Sequence, residues 1–294
     1  MMKKVNLNNA TGGRLALLTA AVIWGTSFIV MKDTVDHIPV FQLLAIRFTL
    51  AGLLLALIFR KRLMRSARSL LSHGAVCGAL LLSAYATQTF GLKTTTPGAN
   101  AFLTAVYCVM VPFMAWGFFR KRPTAYNWVA AVLCIGGIGL ISLSGDLTLG
   151  AGEALTLVSG LFFALHIMAL SHFGGKDDPV ALTIVQFAVV AALSWAGTLL
   201  TERGAAFPSP AVWPPLLYLT VFATAATLVL QSVGQSLTPP SQSAILLSLE
   251  SVFGALFSVI LGYEALTLPI LCGFTMVFVS VIVSETQLSF LRRK

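Results

Sequence analysis

The chain alternates long apolar runs with short polar connections. Ten runs reach membrane length, at about 14–32, 39–60, 69–92, 98–120, 124–144, 151–172, 179–200, 211–235, 240–262 and 267–288. A run of about 20 residues makes a helix of roughly 30 Å, the thickness of a bilayer's hydrocarbon core. Because lipid cannot hydrogen-bond to backbone N–H and C=O groups, runs of this length predict α-helices. The pattern therefore predicts an all-α polytopic membrane protein with ten transmembrane helices.

The second half of the chain is similar to the first. Residues 91–124 align with residues 234–267 at a constant offset of 143 positions, which places Tyr107 opposite Glu250. An offset of 139 positions aligns the earlier helices of the two halves. One short insertion in the second half reconciles the two offsets, so the chain is predicted to be a tandem repeat.

Ten helices divide into two repeats of five, which we assign to residues 1–147 and 148–294. Five is an odd number, so the second repeat must insert in the opposite sense to the first. Inverted repeats of this kind are typical of secondary transporters, whose solute site lies between the repeats near the bilayer midplane. The sequence thus predicts two inverted five-helix repeats around a central cavity.

Composition agrees with a protein whose solvent is lipid. Of 294 residues, 57% are hydrophobic and 10% are charged, with a mean hydropathy of +0.89. In soluble domains about a quarter of the residues are charged. The net charge of +9 does not indicate a nucleic-acid partner, because the basic residues lie in short clusters between apolar runs. The four cysteines lie inside apolar runs without the spacing of a metal site, so we expect no metal and no cofactor.

Lysine and arginine set the predicted orientation. With the N-terminus in the cytoplasm, fifteen of the 19 basic residues fall on cytoplasmic segments, three on outer loops, and Arg47 lies within a span. This bias follows the positive-inside rule and places both termini in the cytoplasm. The first apolar run follows Lys3 and Lys4 and resembles a signal peptide. Since many further spans follow it, we expect it to be retained as a helix.

Two charged residues are predicted to lie near the bilayer midplane. Arg47 lies about 12 Å along its helix from one membrane face, and Glu250 about 15 Å from the other. Their counterparts in the repeat, Gln186 and Tyr107, are neutral. Charges at this depth usually face a cavity or a partner. Both residues therefore line the predicted solute site, or Arg47 pairs with backbone carbonyls or with Glu250 and holds the bundle together.

Other polar and amphipathic side chains within the spans, or at their mouths, extend the predicted substrate-binding set: Trp24, Tyr85, Gln88, Asn100, Tyr107, His166, Gln186, Gln231 and Gln242. Solute pockets combine apolar walls with a few convergent polar groups. The alternative is that each of these side chains forms a hydrogen bond between helices. For His166 the two interpretations are an acceptor for a coupling proton and a neutral histidine bonded to a neighbour.

Two further features concern helix packing. Gly136, Gly137 and Gly139 give the fifth helix a small-residue face, which suits close contact within one chain or between the chains of a homodimer. Pro112 lies inside the fourth run, where its missing N–H predicts a kink or a local opening of the helix. The first feature leaves the oligomeric state open, and the second predicts an irregular fourth helix.

The motifs of the two halves resemble the EamA domain of the drug/metabolite transporter superfamily. Residues 21–28, AVIWGTSF, match the Trp-Gly-rich opening helix of an EamA repeat. Residues 248–255 and 261–267, SLESVFGA and LGYEALT, match its fourth helix and the following loop. Ser251 replaces the usual proline, and Tyr263 is an additional residue in the loop. The resemblance implies ten helices around a cavity, alternating access, and a multi-pass protein of the bacterial inner membrane.

The expected function is secondary transport, not catalysis. The chain has no P-loop, GxSxG or HExxH motif, so we expect neither ATP hydrolysis nor another enzymatic activity. Together with the resemblance, this predicts export of amino acids or related small metabolites or drugs from the bacterial cytoplasm, with Glu250 as the candidate for proton coupling. The alternative is a non-transporting membrane scaffold or sensor built on the transporter fold. An intramembrane enzyme is a third hypothesis.

Overall fold

Helices form all of the regular secondary structure that the structure describes. The computed structural model describes residues 7–64, 69–120, 122–142, 150–173, 176–238 and 240–287. The first half contains α1 (Leu7–Val35), α2 (Val40–Ile58), the short α3 (Arg60–Met64), α4 (Ser69–Leu92), α5 (Pro97–Ala105), α6 (Tyr107–Phe119) and α7 (Ala125–Ser142). The second half contains α8 (Ala151–Phe173), α9 (Pro179–Thr201), a 3₁₀ turn (Pro210–Val212), α10 (Trp213–Thr220), a π turn (Val221–Ala226), α11 (Thr227–Leu237), α12 (Pro240–Ile260) and α13 (Leu268–Thr286).

Seven helical stretches are long and apolar enough to span a membrane: Thr11–Val35, Val40–Ile58, Ser69–Leu92, Pro97–Met114, Ala151–Phe173, Pro179–Thr201 and Pro210–Leu237. Three shorter apolar helices, Ala125–Gly137, Leu246–Ile260 and Leu268–Val283, lie within the remaining predicted runs. The prediction of an all-α protein with many membrane spans is confirmed.

Side-chain caps fix the starts of two helices. The Asp178 carboxylate accepts hydrogen bonds from the backbone N–H groups of Val180 and Ala181, both at 3.0 Å, at the start of α9. The Thr96 hydroxyl accepts from the backbone N–H of Ala99 at 3.2 Å at the start of α5. In each case a proline follows the cap, at a first helical position that needs no N–H donor.

The fourth predicted helix is interrupted, but not at Pro112. The interruption lies at Val106, between α5 and α6, and α6 continues through Pro112. The predicted opening is therefore displaced by about one and a half turns toward the N-terminus. A proline disturbs the turn that precedes it, because its ring clashes with the carbonyl four residues earlier.

Helices from the two halves pack against each other throughout the bundle. The principal contacts join α4 to α8 and α9, α1 to α11 and α12, α2 to α9, α5 to α12 and α7 to α13. Glycine brings α1 and α12 together: a Cβ atom built at Gly25 would overlap Cβ of Phe253 and lie 3.1 Å from the backbone nitrogen of Gly254. At this point α1 and α12 are thus in close backbone contact, as small residues allow between membrane helices.

The small-residue face of α7 packs inside the chain. A Cβ atom built at Gly137 would lie 2.8 Å from the carbonyl oxygen of Gly273, and one built at Gly136 would lie 2.8 Å from the methyl group of Met276. Both partners lie on α13. Of the two interpretations of this face, contact within one chain accounts for these glycines.

The exterior of the bundle is apolar. Leu57, Val132, Ile135, Leu199 and Leu200 are all at least two-thirds exposed, and they lie on α2, α7 and α9. An apolar exterior of this extent is stable only against lipid. The surface therefore agrees with the multi-pass arrangement.

One end of the bundle is joined by polar contacts of the α12–α13 loop. The Tyr263 hydroxyl donates to the Asp33 carboxylate at 2.5 Å, next to the end of α1. The Thr96 hydroxyl donates to the Glu264 carboxylate at 2.9 Å. Lys32 donates to the carbonyl oxygens of Leu92, Lys93 and Thr95 at 2.8, 2.9 and 3.0 Å. These bonds tie α1, the α4–α5 connection and the α12–α13 loop together above the helix ends.

We expect Glu264→Gln to change how stability depends on pH. Burial raises the pKa of Glu264 above its ordinary value of 4.5, against the hydrogen bond from Thr96. Between pH 4.5 and the raised pKa of Glu264 in the folded protein, the folded protein keeps a proton that the unfolded chain loses. The contribution of Glu264 to the free energy of unfolding therefore falls as pH rises through this range. The Tm of the Gln variant, measured in detergent from about pH 4 to pH 8, should decline less steeply with pH than the Tm of the wild type. Parallel Tm curves for the two proteins would contradict the prediction.

The opposite end carries a second polar cluster. His73 Nδ1 lies 2.5 Å from the Asp177 carboxylate, and the His73 ring stacks on Phe173 with centroids 4.1 Å apart. Arg62 lies 3.5 Å from the Asp178 carboxylate. These contacts connect α3 and α4 to the segment between α8 and α9.

Candidate functional site

A small, partly open pocket with a cavity volume of about 40 Å³ lies between the two halves of the chain. Side chains from α1, α2, α4, α6, α8, α11 and α12 form its wall. They are Trp24, Ser27, Phe28, Met31, Arg47, Tyr85, Gln88, Thr89, Leu92, Tyr107, Phe163, Ile167, Leu228, Gln231, Leu247 and Glu250. Both halves contribute, so the pocket exists only when they are assembled.

Helical spacing explains which side chains reach the pocket. On α1 the lining residues recur at intervals of three, one and three positions, and α4 repeats the same intervals: Trp24, Ser27, Phe28 and Met31, then Tyr85, Gln88, Thr89 and Leu92. Residues spaced in this way share one face of a helix. The same periodicity, extended along the sequence from Trp24 and Tyr85, identifies Ser27, Met31 and Thr89, which are not among the predicted substrate-binding residues.

Seven of the predicted substrate-binding residues line the pocket: Trp24, Arg47, Tyr85, Gln88, Tyr107, Gln231 and Glu250. Asn100, His166 and Gln186 are buried away from it. The side chain of Gln242 lies outside the described part of the structure.

The three residues outside the pocket join helices to each other. The Asn100 amide donates to the hydroxyl of Thr156 on α8 at 2.8 Å and to that of Thr95 at 3.3 Å. His166 Nε2 and the side-chain oxygen of Gln186 are 2.9 Å apart, which links α8 to α9. The structure therefore gives these side chains the interhelical hydrogen bonds that were the alternative interpretation.

Arg47 is almost completely buried, with 1% of its surface exposed, and its partners come from the π turn. Nη2 donates to the carbonyl oxygen of Ala223 at 3.0 Å, and Nε donates to the hydroxyl of Thr224. The guanidinium carbon lies 5.0 Å from the centre of the Tyr85 ring, within the range of a cation–π contact. Nη1 has no hydrogen-bond partner among the described residues. The bond to the Ala223 carbonyl is the backbone pairing that the structural interpretation of Arg47 expected, and Nη1 is itself buried.

Glu250 is also buried, with 6% of its surface exposed. The Tyr107 hydroxyl donates to its Oε1 at 3.3 Å. Within the described part of the chain no ion pair joins Glu250 to Arg47, so that form of the structural interpretation is wrong. Each of the two side chains instead contacts neutral groups. Arg47 donates to Ala223 and Thr224 of the π turn, and Glu250 accepts from the Tyr107 hydroxyl.

Further polar atoms complete the pocket wall. The Trp24 indole N–H donates to the carbonyl oxygen of Ala223 at 3.0 Å, the same atom that accepts from Arg47. Gln88 donates to the Thr104 hydroxyl at 3.1 Å. Thr89 Oγ1 and Gln231 Oε1 are buried without a partner in the described residues. The wall therefore offers aromatic surface, one acid, one cation and unsatisfied neutral polar atoms, which suits a small amphipathic molecule.

A metal site is not part of this arrangement. Among the described residues no group of three or more His, Cys, Asp or Glu side chains is placed to hold an ion.

The two halves of the chain each match the same family model. The EamA-like transporter family model matches residues 11–143 and again residues 150–286. The chain belongs to the EamA-like transporter family. It is therefore a membrane transporter by family, and the resemblance inferred from the Trp-Gly and Leu-Gly-Tyr-Glu motifs is confirmed.

Similar proteins agree with membership of the EamA-like family. An uncharacterized transporter of Archaeoglobus fulgidus is 30% identical over 273 residues, which cover 92% of this chain and 84% of that protein. The uncharacterized inner membrane transporter YedA of Escherichia coli K12 is 26% identical over 215 residues, which cover 70% of this chain and 69% of that protein. A crystal structure of a protein at 16% identity superposes with a TM-score of 0.72 over 96% of this chain and 99% of its own, which shows a shared fold.

Proposed function

We propose that this EamA-family protein exports amino acids or related small metabolites from the bacterial cytoplasm by alternating access, and that Glu250 carries a coupling proton. The observation that carries the proposal is the pocket between the halves, in which Arg47 and Glu250 are buried without pairing with each other. Unpaired charges inside a membrane protein are expensive and mark solute or ion pathways.

The pocket chemistry favours a zwitterion with an apolar side chain. Arg47 presents an N–H group to a carboxylate, and Glu250 presents a carboxylate to an ammonium group. Trp24, Phe28 and Phe163 give apolar and aromatic wall around these two groups. A solute that carried only one charge would leave the second buried charge uncompensated.

We also propose that ten spans form two inverted five-helix repeats, residues 1–147 and 148–294. Exchanging the halves replaces α1 by α8, α2 by α9, α4 by α10–α11, α5–α6 by α12 and α7 by α13. This exchange converts the α4–α8 contact into the α1–α11 contact, and it maps the α2–α9, α5–α12 and α7–α13 contacts onto themselves. Such a pattern is the one that a twofold axis between the halves produces.

Two residue pairs support the same axis. Tyr107 and Glu250, which the repeat alignment equates, are hydrogen-bonded to each other at 3.3 Å. Phe48 and Phe187, equated by the other offset, have ring centroids 5.2 Å apart. Residues related by a twofold axis touch only where they lie beside it. The axis therefore passes next to the pocket, as in transporters built from inverted repeats.

The proposed orientation follows the positive-inside rule, with both termini in the cytoplasm and the chain in the inner membrane. In that orientation the His73–Asp177 cluster faces the cytoplasm and the Tyr263–Asp33 contact faces the outside. Because the small-residue face of α7 is occupied by α13, a single chain is the proposed transport unit and a homodimer is not required.

Uptake into proteoliposomes tests the proposal. Purified protein is reconstituted, and accumulation of individual ¹⁴C-labelled L-amino acids is measured with and without a pH gradient, against empty liposomes. We expect saturable uptake of at least one apolar amino acid. Folded protein that transports none of them would overturn the proposed function and favour the scaffold or sensor.

Replacing Glu250 with Gln tests the coupling. One coupled proton supports about tenfold accumulation across a gradient of one pH unit. We expect Glu250→Gln to transport its solute down a concentration gradient but to lose the response to the pH gradient, since Gln cannot release a proton. Glu153→Gln, at the partly exposed first turn of α8, is the matched control and should keep the response. A Glu250→Gln protein that responds as wild type does would remove Glu250 from coupling.

A further inference from the structure

The continuous helix formed by α10, the π turn and α11 contains one turn, the π turn, that is wider than the α-helical turns on either side. The backbone changes from α-helical to π-helical at Val221–Ala226 and back again. The corresponding helix of the first half, α4, is α-helical over Ser69–Leu92. Single π turns inside α-helices are rare and frequently occur at functional sites. The contacts made by this turn indicate what it does.

Thr224 lies in the middle of the π turn and is fully buried. Its hydroxyl donates to the carbonyl oxygen of Leu219 at 2.8 Å, five residues earlier. A hydroxyl has one hydrogen, and this bond uses it. Toward Arg47 the Thr224 oxygen can therefore act only as an acceptor, which is the role that the Nε–H of Arg47 requires.

Two consecutive residues of the turn bind one edge of the guanidinium. Thr224 accepts from Nε, and the carbonyl oxygen of Ala223 accepts from Nη2. The guanidinium is planar with its donors in a fixed fork, so two bonds on one edge determine the orientation of the whole group. The remaining nitrogen, Nη1, is buried without a hydrogen-bond partner among the described residues, and the Arg47 side chain lines the pocket.

We propose that Thr224 is a positioning residue that orients Arg47 so that its Nη1 group can bind the carboxylate of the transported solute. Thr224 does not line the pocket and acts only through Arg47. The solute part of this inference rests on the proposed function, whereas the orientation of Arg47 does not. The two parts are therefore tested by separate measurements.

The first measurement needs no solute. Full-length protein labelled with [¹⁵N]arginine is placed in lipid nanodiscs, and hydrogen exchange of the Arg47 Nε–H group is followed by NMR, with Arg47→Lys to assign the signal. We expect Thr224→Val, which keeps the shape and removes the hydroxyl, to accelerate exchange at least about tenfold, as loss of a hydrogen bond to a charged group predicts. Thr224→Ser retains the hydroxyl and should restore slow exchange.

The chain offers a matched control for the valine substitution. Thr227 is fully buried one turn further along, and its hydroxyl has no partner in the described part of the chain. Thr227→Val should leave the exchange rate of the Arg47 Nε–H group unchanged. Equal exchange rates in Thr224→Val and wild type, or equal acceleration by Thr227→Val, would overturn the positioning role.

The second measurement uses the labelled amino acid that wild-type protein transports best. We expect Thr224→Val to raise KM about tenfold with kcat little changed, since a misoriented Arg47 weakens binding of the solute in every step. In an Arg47→Lys background the same substitution should add nothing, because the fork that Thr224 holds is gone. A full additional loss in that background would contradict an action through Arg47. If no amino acid is transported, the proposed function fails and the exchange measurement still decides the role of Thr224.

Discussion

Replacing Arg47 with leucine is expected to abolish solute uptake, with kcat/KM at least about a hundredfold below wild type. The substitution removes the positive charge at the pocket and the donors that Arg47 gives to the Thr224 hydroxyl and the Ala223 carbonyl. A hydrogen bond to a charged group contributes about 1.5–3 kcal/mol, and Arg47 is proposed to offer one to the solute. Since each 1.4 kcal/mol is about a factor of ten, a lost ion pair and a disordered wall together account for the expected size. Initial rates of ¹⁴C-amino-acid uptake in proteoliposomes measure it.

Two variants keep this expectation open to contradiction. Arg203→Leu removes an exposed arginine whose Nε donates to the carbonyl oxygen of Leu199 near the end of α9, and it should transport as wild type does. Arg47→Lys keeps the charge but loses the planar fork, and we expect a loss of about tenfold. Monodisperse elution on size exclusion shows that each variant is folded. Uptake by Arg47→Leu within threefold of wild type would show that Arg47 has a structural role alone.

Replacing Gly25 with valine is expected to lower the Tm by about 10 °C. The new side chain would overlap Phe253 and approach the backbone of Gly254, so α1 and α12 would have to separate. Overpacking of a close interface costs about 1–3 kcal/mol, and more where the obstacle is backbone. For a chain of this size each kcal/mol lowers the Tm by about 2–4 °C. Thermal unfolding in detergent, followed by loss of the monodisperse peak, gives the Tm.

Gly12 provides the control on the same helix. A Cβ atom built at Gly12 meets no atom within 4 Å, so Gly12→Val introduces the same side chain without a clash. Its Tm should stay within a few degrees of wild type. If both variants lowered the Tm equally, the cause would be the low helix propensity of valine. The close contact between α1 and α12 would then not explain the loss of stability.

The helix bounds could be read from the sequence because lipid allows few alternatives. The run at 179–200 and the helix Pro179–Thr201 differ by one residue, since a proline and an aspartate cap mark the start. The break at Val106 could not be read in the same way. A proline predicts that a helix is disturbed, but packing against neighbouring helices decides which of the preceding turns opens.

The site was predicted only in part, for a physical reason. Sequence identifies polar side chains inside spans but does not distinguish a pocket wall from a contact between helices. Trp24 and Glu250 reach the pocket, whereas Asn100 and His166 are hydrogen-bonded to Thr156 and Gln186 on neighbouring helices. Thr224 carried no signal at all, because threonine inside a membrane helix usually bonds to its own backbone and a π turn leaves no pattern of hydrophobicity.

The partners of Arg47 have a consequence for how the protein is made. Thr224 lies 177 residues beyond Arg47 in the chain. At about 5–20 residues per second, the ribosome needs roughly 10–35 seconds to add that length. During this interval neither hydrogen-bond acceptor of the Arg47 guanidinium has been synthesised. Inserting an arginine at mid-membrane costs about 2.5–3.5 kcal/mol of free energy. The leucine-rich remainder of α2 must offset that burden, so the nascent first half depends on the second half for its completion and should be a target of membrane quality control when translation stops early.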